Sequence, residues 1–85
     1  MTNKEQDQRH LELAMEMVRR QLEKFTLISE WDLHYTILRS LTSQFFSHQR
    51  NLTSYVLTQL PGEPRYLISV NDHATVQFSP NIEIV

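Results

Sequence analysis

The chain has 85 residues, with one glycine, three prolines and no cysteine, and its formal net charge is −2. Its length predicts a single domain over residues 1–85, and its lack of cysteine excludes disulfides and suits a reducing, cytoplasmic compartment. The polar N-terminus predicts no signal peptide, no apolar run is long enough to span a membrane, and the slightly acidic balance is not that of a protein that coats nucleic acid.

The first segment predicts a helix over about 3–25. Thr2 and Glu5 have the spacing of a capping box, in which each side chain satisfies an otherwise unpaired backbone N–H group. Six apolar residues then recur at helical spacing: Leu11, Ala14, Met15, Val18, Leu22 and Phe25. They fall within an arc of about 100°, the width of a core-facing stripe. Leu13 and Met17 widen the apolar arc to about 200°, which indicates a second contact surface.

A second helix is predicted over about 30–48. Ser29 suits its N-cap, and Glu30 and Asp32 in the first turn complement the helix dipole. Apolar residues continue at helical spacing and cover about 180° of the helix: Trp31, Tyr35, Ile37, Leu38, Leu41, Phe45 and Phe46. The short connection to the first helix favours an antiparallel helical hairpin.

The last third of the chain predicts strands. Residues 52–60 are rich in β-branched and aromatic side chains, which favour a strand. A helical continuation of the second helix is the alternative, because Leu52, Val56 and Leu60 also fit helical spacing. Residues 61–64 predict a turn, and strands over about 65–70 and 74–79 flank a hairpin loop at 71–73. The expected fold class is α+β, with a helical hairpin packed on an antiparallel sheet of about three strands.

No catalytic or cofactor-binding residue is predicted. The serines lack a G-x-S-x-G context, and the single Gly62 cannot build a glycine-rich phosphate loop. Glu12 and Glu16 lie one helical turn apart, a geometry that can poise a general acid. Both belong to the charged side of the first helix, where a solvated face is the better interpretation. We therefore expect a protein that is not an enzyme and needs no cofactor.

The histidines predict no metal site. His34 and His48 are separated by about 21 Å along one helix, too far to share an ion. His10 and His73 have no partner at a recognisable ligand spacing. His34 is interpreted as a half-buried helix residue. A pH-sensitive interface through its titratable ring is a further hypothesis.

The middle of the chain keeps a nucleic-acid hypothesis open. Residues 33–62 contain no acidic side chain and two arginines. A helix pair followed by a β-hairpin resembles winged-helix proteins in outline. The alternative function is therefore a winged-helix-like DNA-binding transcriptional regulator that uses Arg39, Gln44, Gln49 and Arg50. The low basic content and the lack of a compact helix–turn–helix make this the weaker alternative.

The wide apolar arcs of both helices predict the main function. They carry more apolar surface than a three-stranded sheet can cover, and exposed apolar surface of this kind marks protein interfaces. We expect a small regulator, adaptor or inhibitor that binds an unidentified protein and forms a homodimer through its helices. The expected contact residues are Leu13, Met17, Trp31, Leu38, Phe45 and Phe46.

Overall fold

The computed structural model describes residues 1–62 and 64–85. Within them the chain forms two helices and five strands, which confirms the predicted α+β class. The sheet has the order β2-β3-β4 and is antiparallel, while β1 and β5 form a separate parallel pair. The elements are α1 (Asn3–Leu22), β1 (Leu27–Ile28), α2 (Glu30–Ser47), β2 (Tyr55–Leu60), β3 (Arg65–Val70), β4 (Ala74–Phe78) and β5 (Glu83–Ile84).

Both helices begin at the predicted caps. The Thr2 hydroxyl accepts from the Glu5 backbone N–H at 3.1 Å, and the Glu5 carboxylate accepts from the Thr2 backbone N–H at 3.3 Å. Ser29 accepts from the N–H of residue 32 at 3.0 Å and caps α2. The end of α1 differs from the prediction, because the helix stops at Leu22. Phe25 lies beyond that end, is half exposed and is not part of the core face.

The sheet buries one face against the helices. In β3 the buried residues are Tyr66, Ile68 and Val70, which alternate with partly exposed ones. Residues 55–60 form strand β2 rather than a continuation of α2, so strand was the correct alternative, and it begins three residues later than predicted. The predicted turn at 61–64 includes Glu63, which lies outside the described residues.

Two long-range contacts complete the fold. The link between the helices forms β1, which pairs in parallel with β5 near the C-terminus, a pairing that the sequence did not predict. The Glu30 backbone N–H also donates to the Val85 carbonyl at 2.9 Å, next to the start of α2.

Neither α1 nor α2 combines the length and the apolar character that crossing a membrane requires.

Candidate functional site

The most prominent surface feature is a row of large apolar side chains along the outside of α2. Its members are Trp31, Tyr35, Leu38 and Phe46, which we call the α2 stripe. Trp31 is 76% exposed and Phe46 is 82% exposed, while the two residues between them are about half exposed. At 100° per residue the four side chains fall within an arc of about 80°. They therefore lie along one side of the helix, on which the exposed Thr42 separates Leu38 from Phe46.

The α2 stripe faces away from α1. The side of α2 that faces α1 is marked by Ser40, whose hydroxyl accepts from Gln21 Nε2 at 3.2 Å, and by Gln44, whose Nε2 lies 3.1 Å from His10 Nδ1. Helical geometry places the stripe about 180° around the helix from those two residues. His34, whose ring packs against Tyr55 of β2, lies about 80° from the stripe. The stripe thus occupies the flank of α2 on the β2 side of the molecule.

The predicted contact residues divide into three groups. Three of them belong to the stripe: Trp31, Leu38 and Phe46. Phe45 is only 1% exposed and lies in the core, so it is not available for contact with a partner. Leu13 is 37% exposed and Met17 is half-buried, and both are on α1, away from the stripe. Tyr35 was absent from the predicted set although it belonged to the same apolar arc.

The residues of the nucleic-acid alternative are not assembled into one surface. Arg50 is held in an ion pair with the buried Asp7, with 2.9 Å between Nη2 and Oδ1. The Gln44 amide lies against the rings of His10 and His48. Arg39 and Gln49 are exposed; Arg39 lies in the middle of α2, and Gln49 lies in the turn that follows the helix.

A buried polar cluster around Asp7 is the feature that sequence reasoning missed. Asp7 is 3% exposed and accepts four hydrogen bonds. Arg50 donates two to Oδ1, from Nε at 3.0 Å and from Nη2 at 2.9 Å. Asn71 Nδ2 donates to Oδ2 at 3.0 Å, and His73 Nε2 lies 2.6 Å from the same oxygen. A signal was present in the sequence, because Asp7 falls within the core-facing arc of α1.

The cluster extends through Asn71 to the segment before β2. Asn71 Oδ1 accepts from the backbone N–H groups of Thr53 at 2.7 Å and Ser54 at 3.3 Å. Its Nδ2 also donates to the Asn51 carbonyl at 2.8 Å. Asn71 has a φ of +53° and is followed by Asp72 with a φ of +59°, the backbone of a tight hairpin turn. The Asp7 cluster therefore joins α1, the connection after α2 and the β3–β4 turn.

The electrostatics of Asp7 indicate a structural role. Burial raises the pKa of its carboxyl, but the hydrogen bonds from Asn71, His73 and Arg50, together with the Arg50 charge, outweigh burial and hold the pKa below its usual value. The carboxylate is thus ionised near neutral pH, and its oxygens are already occupied by donors from the chain. Such a group is poorly placed to take a proton from a substrate. Its contribution is to hold three segments together.

Two histidine rings stack where α1 meets the end of α2. The ring centroids of His10 and His48 lie 4.3 Å apart. Because Gln44 Nε2 is a donor, its contact with His10 Nδ1 requires a neutral His10 ring. Burial lowers the pKa of His10, and the charges of His48, Arg9 and Arg50 lower it further, against a smaller opposite effect of the Asp7 charge. The folded protein therefore favours the uncharged form of this ring.

We expect the free energy of unfolding to fall as the pH is lowered, because of the titration of His10. Since the pKa of His10 is lower in the folded protein than the ordinary value of 6.5, the unfolded chain binds more protons and is favoured as pH drops from 7.5 to 5.5. Urea denaturation at both pH values measures the difference in free energy. That difference should be smaller in His10→Gln, and an equal difference in both proteins would contradict the assignment.

The remaining polar candidates add no catalytic arrangement. Burial raises the pKa of Tyr55 to about 12, so its hydroxyl stays protonated, 3.4 Å from His34 Nδ1. His34 Nε2 lies 3.9 Å from Glu30. Among residues 1–62 and 64–85, no three His, Asp or Glu side chains lie close enough together to hold a metal ion.

Comparison with known proteins gives no relative from which a function could be carried over. No protein-family model, no curated protein and no solved structure matches this chain.

Proposed function

We propose that this chain is a small, non-enzymatic protein-interaction module that self-associates through α2 as a homodimer. The observation that carries the proposal is the α2 stripe. Trp, Tyr and Phe are enriched in the buried centres of interfaces, where a few large side chains contribute most of the binding energy. Three of the four stripe residues are of these types. Leaving the four side chains in water has no structural benefit to a monomer, whereas covering them contributes about 25 cal/mol per Å² of apolar area.

A second copy of the same chain suits this surface. After Asp32, α2 contains no acidic side chain, and Arg39 is its only basic one. Arg39 is exposed and lies about 20° beyond the edge of the stripe. Two stripes can therefore meet about a two-fold axis with no charged side chain among the four contacting residues of each copy. A cytoplasmic regulator, adaptor or inhibitor that acts as a dimer would fit these properties. Once dimerised, it would still have the partly exposed Leu13 on α1 for contact with a further partner.

The test is the oligomeric state of a variant with one charge in the stripe. Phe46→Asp should weaken dimerisation by roughly 100-fold, because it replaces an apolar contact with a charge that must be desolvated. Sedimentation velocity over a micromolar concentration series measures the effect. Thermal unfolding of the variant should remain cooperative, since the side chain lies outside the core.

Ser47→Asp is the matched control. It places the same charge one residue further along the last turn of α2, at an exposed position outside the stripe. This variant should dimerise as the unsubstituted protein does. If the unsubstituted protein sediments at all micromolar concentrations as a monomer of 10.1 kDa, the proposed self-association is overturned.

A further inference from the structure

The outer edge of β2 carries a row of backbone groups that point away from the sheet. The Asn71 N–H donates to the Ser54 carbonyl at 3.1 Å, which marks a hydrogen-bonded pair at the start of the β2–β3 ladder. Since such pairs alternate along an antiparallel ladder, the even-numbered residues of β2 bond to β3. The N–H and C=O groups of Tyr55, Leu57 and Gln59 consequently point outward.

The opposite edge of the sheet is covered by α1 at Thr75. In β4 the outward groups of Thr75 are both bonded to the Gln8 side chain of α1: Nε2 donates to the Thr75 carbonyl at 2.7 Å, and the Thr75 N–H donates to Oε1 at 3.1 Å. Arg19 Nη1 donates to the Ser79 carbonyl just beyond the strand, at 3.4 Å. A glutamine amide here occupies the place that a neighbouring strand would take.

The edge of β2 has none of these protections. Its sequence, YVLTQL, contains no charged residue and no proline, the residues that natural proteins place on an edge to prevent pairing. In the described part of the chain, residues 1–62 and 64–85, no strand or side chain bonds to its outward groups. An uncharged six-residue strand with an open edge is a template for another strand.

We propose that β2 pairs with β2 of a second copy and forms a continuous six-stranded antiparallel sheet. The proposal rests on the self-association proposed above and specifies its geometry. Only residues with outward N–H and C=O groups can form the hydrogen-bonded pairs, and both copies must keep the same face toward their helices. The register that satisfies both conditions with the most bonds puts Leu57 opposite Leu57, and Tyr55 of each copy opposite Gln59 of the other.

The α2 stripe lies where this pairing would cover it. Edge-to-edge pairing of antiparallel strands places the two-fold axis perpendicular to the sheet, so the helices of both copies lie on the same face of the sheet. The helix nearest the axis in each copy is α2, and the flank it turns toward the axis is the one that faces away from α1. That flank carries the stripe. The strand edge therefore supplies directional hydrogen bonds, and the stripe supplies apolar area to the same interface.

The experiment is disulfide crosslinking between two single-cysteine proteins. The chain contains no cysteine, so any crosslink is assignable. In the proposed register Val56 faces Thr58 of the other copy in a non-hydrogen-bonded pair, about 4.5 Å between Cα atoms, which a disulfide can span. Both side chains are exposed on the open face of the sheet. A mixture of Val56→Cys and Thr58→Cys chains under oxidised glutathione should form a crosslinked dimer in high yield.

Either protein alone should crosslink poorly, because two copies of position 56 are separated by about 8 Å, the distance of diagonal neighbours. The matched control is a mixture of Thr75→Cys and Gln77→Cys, two exposed positions with the same spacing on the covered edge strand, which should also crosslink poorly. Sedimentation of the reduced mixture reports the dimer independently of the disulfide.

The outcomes separate this geometry from self-association itself. A dimer that crosslinks selectively through positions 56 and 58 supports the proposal. A dimer without that crosslink, or with equal crosslinking of the 75 and 77 mixture, overturns edge pairing and leaves the α2 interface standing. A monomer overturns both.

Discussion

Replacing Asp7 with Asn should lower the free energy of unfolding by about 3 kcal/mol, the low end of the cost of breaking a buried ion pair. The asparagine side chain has an NH₂ group in place of one carboxylate oxygen. That NH₂ group is a donor, and it would face the donors of Arg50 or those of Asn71 and His73, so these hydrogen bonds would be lost. Arg50 would lose its charge partner in a site where its side chain is 20% exposed. The value stays at the low end because the partly exposed arginine can recover some hydration.

The effect should spread beyond α1, because the same carboxylate bonds to Arg50 in the connection after α2 and to Asn71 and His73 in the β3–β4 turn. Urea denaturation at pH 7 measures the loss of free energy. Asp72→Asn is the matched control: it makes the same chemical change in the β3–β4 turn, at an exposed residue whose φ of +59° asparagine tolerates. Its effect should stay within about 0.5 kcal/mol. A loss below about 1 kcal/mol in Asp7→Asn would refute the structural role of the cluster.

The pH dependence of the free energy of unfolding, compared between the unsubstituted protein and Asp7→Asn, gives a second measurement. Because the pKa of Asp7 is lower in the folded protein than its ordinary value of 3.8, its contribution is present at neutral pH and is lost as pH falls through the folded pKa. Stability of the unsubstituted protein should therefore decline below about pH 4. Asp7→Asn should lack this part of the decline, since the substituted side chain does not titrate.

Local signals explain which parts of the fold the sequence could predict. The capping box at Thr2, the serine cap at residue 29 and the apolar periodicity of both helices act within a few residues of each other, and the helices begin where these signals lie. The apolar pattern did not predict the end of α1. Phe25 continues the helical spacing, but the chain has already left the helix to enter β1.

Long-range contacts explain what the sequence could not predict. The partners of Asp7 lie 43 to 66 residues away along the chain, so no spacing rule connects them. The polarity of Asp7 on the core-facing arc was the one local sign of a buried site. The β1–β5 pair has two residues in each strand, too few for an alternating pattern to be recognised.

The width of the apolar arc of α2 was predictable, but its division into a core half and an exposed half was not. Both halves are apolar, and only the positions of α1 and the sheet decide which half is covered. Phe45 and Phe46 make the difference clear, because they are adjacent and identical in chemistry, yet one is 1% exposed and the other 82%. Their contrast also provides a test of the fold.

Phe45→Ala should lower the free energy of unfolding by about 3–5 kcal/mol, the cost of removing a buried aromatic ring and leaving a cavity. A domain of this size has roughly 5–15 kcal/mol in total, so this loss is a fifth or more of the stability of the protein. Chemical denaturation at 10 °C measures the loss while most molecules are still folded.

Phe46→Ala is the control with the same deletion one residue away. Its effect on the monomer should be within about 0.5 kcal/mol, and any further loss should depend on protein concentration, because a partner that binds the folded state stabilises it by mass action. The two variants therefore separate the two faces of α2 by a physical criterion. Equal, concentration-independent losses in both would mean that Phe46 packs inside the fold, and the α2 stripe would then no longer be an interface.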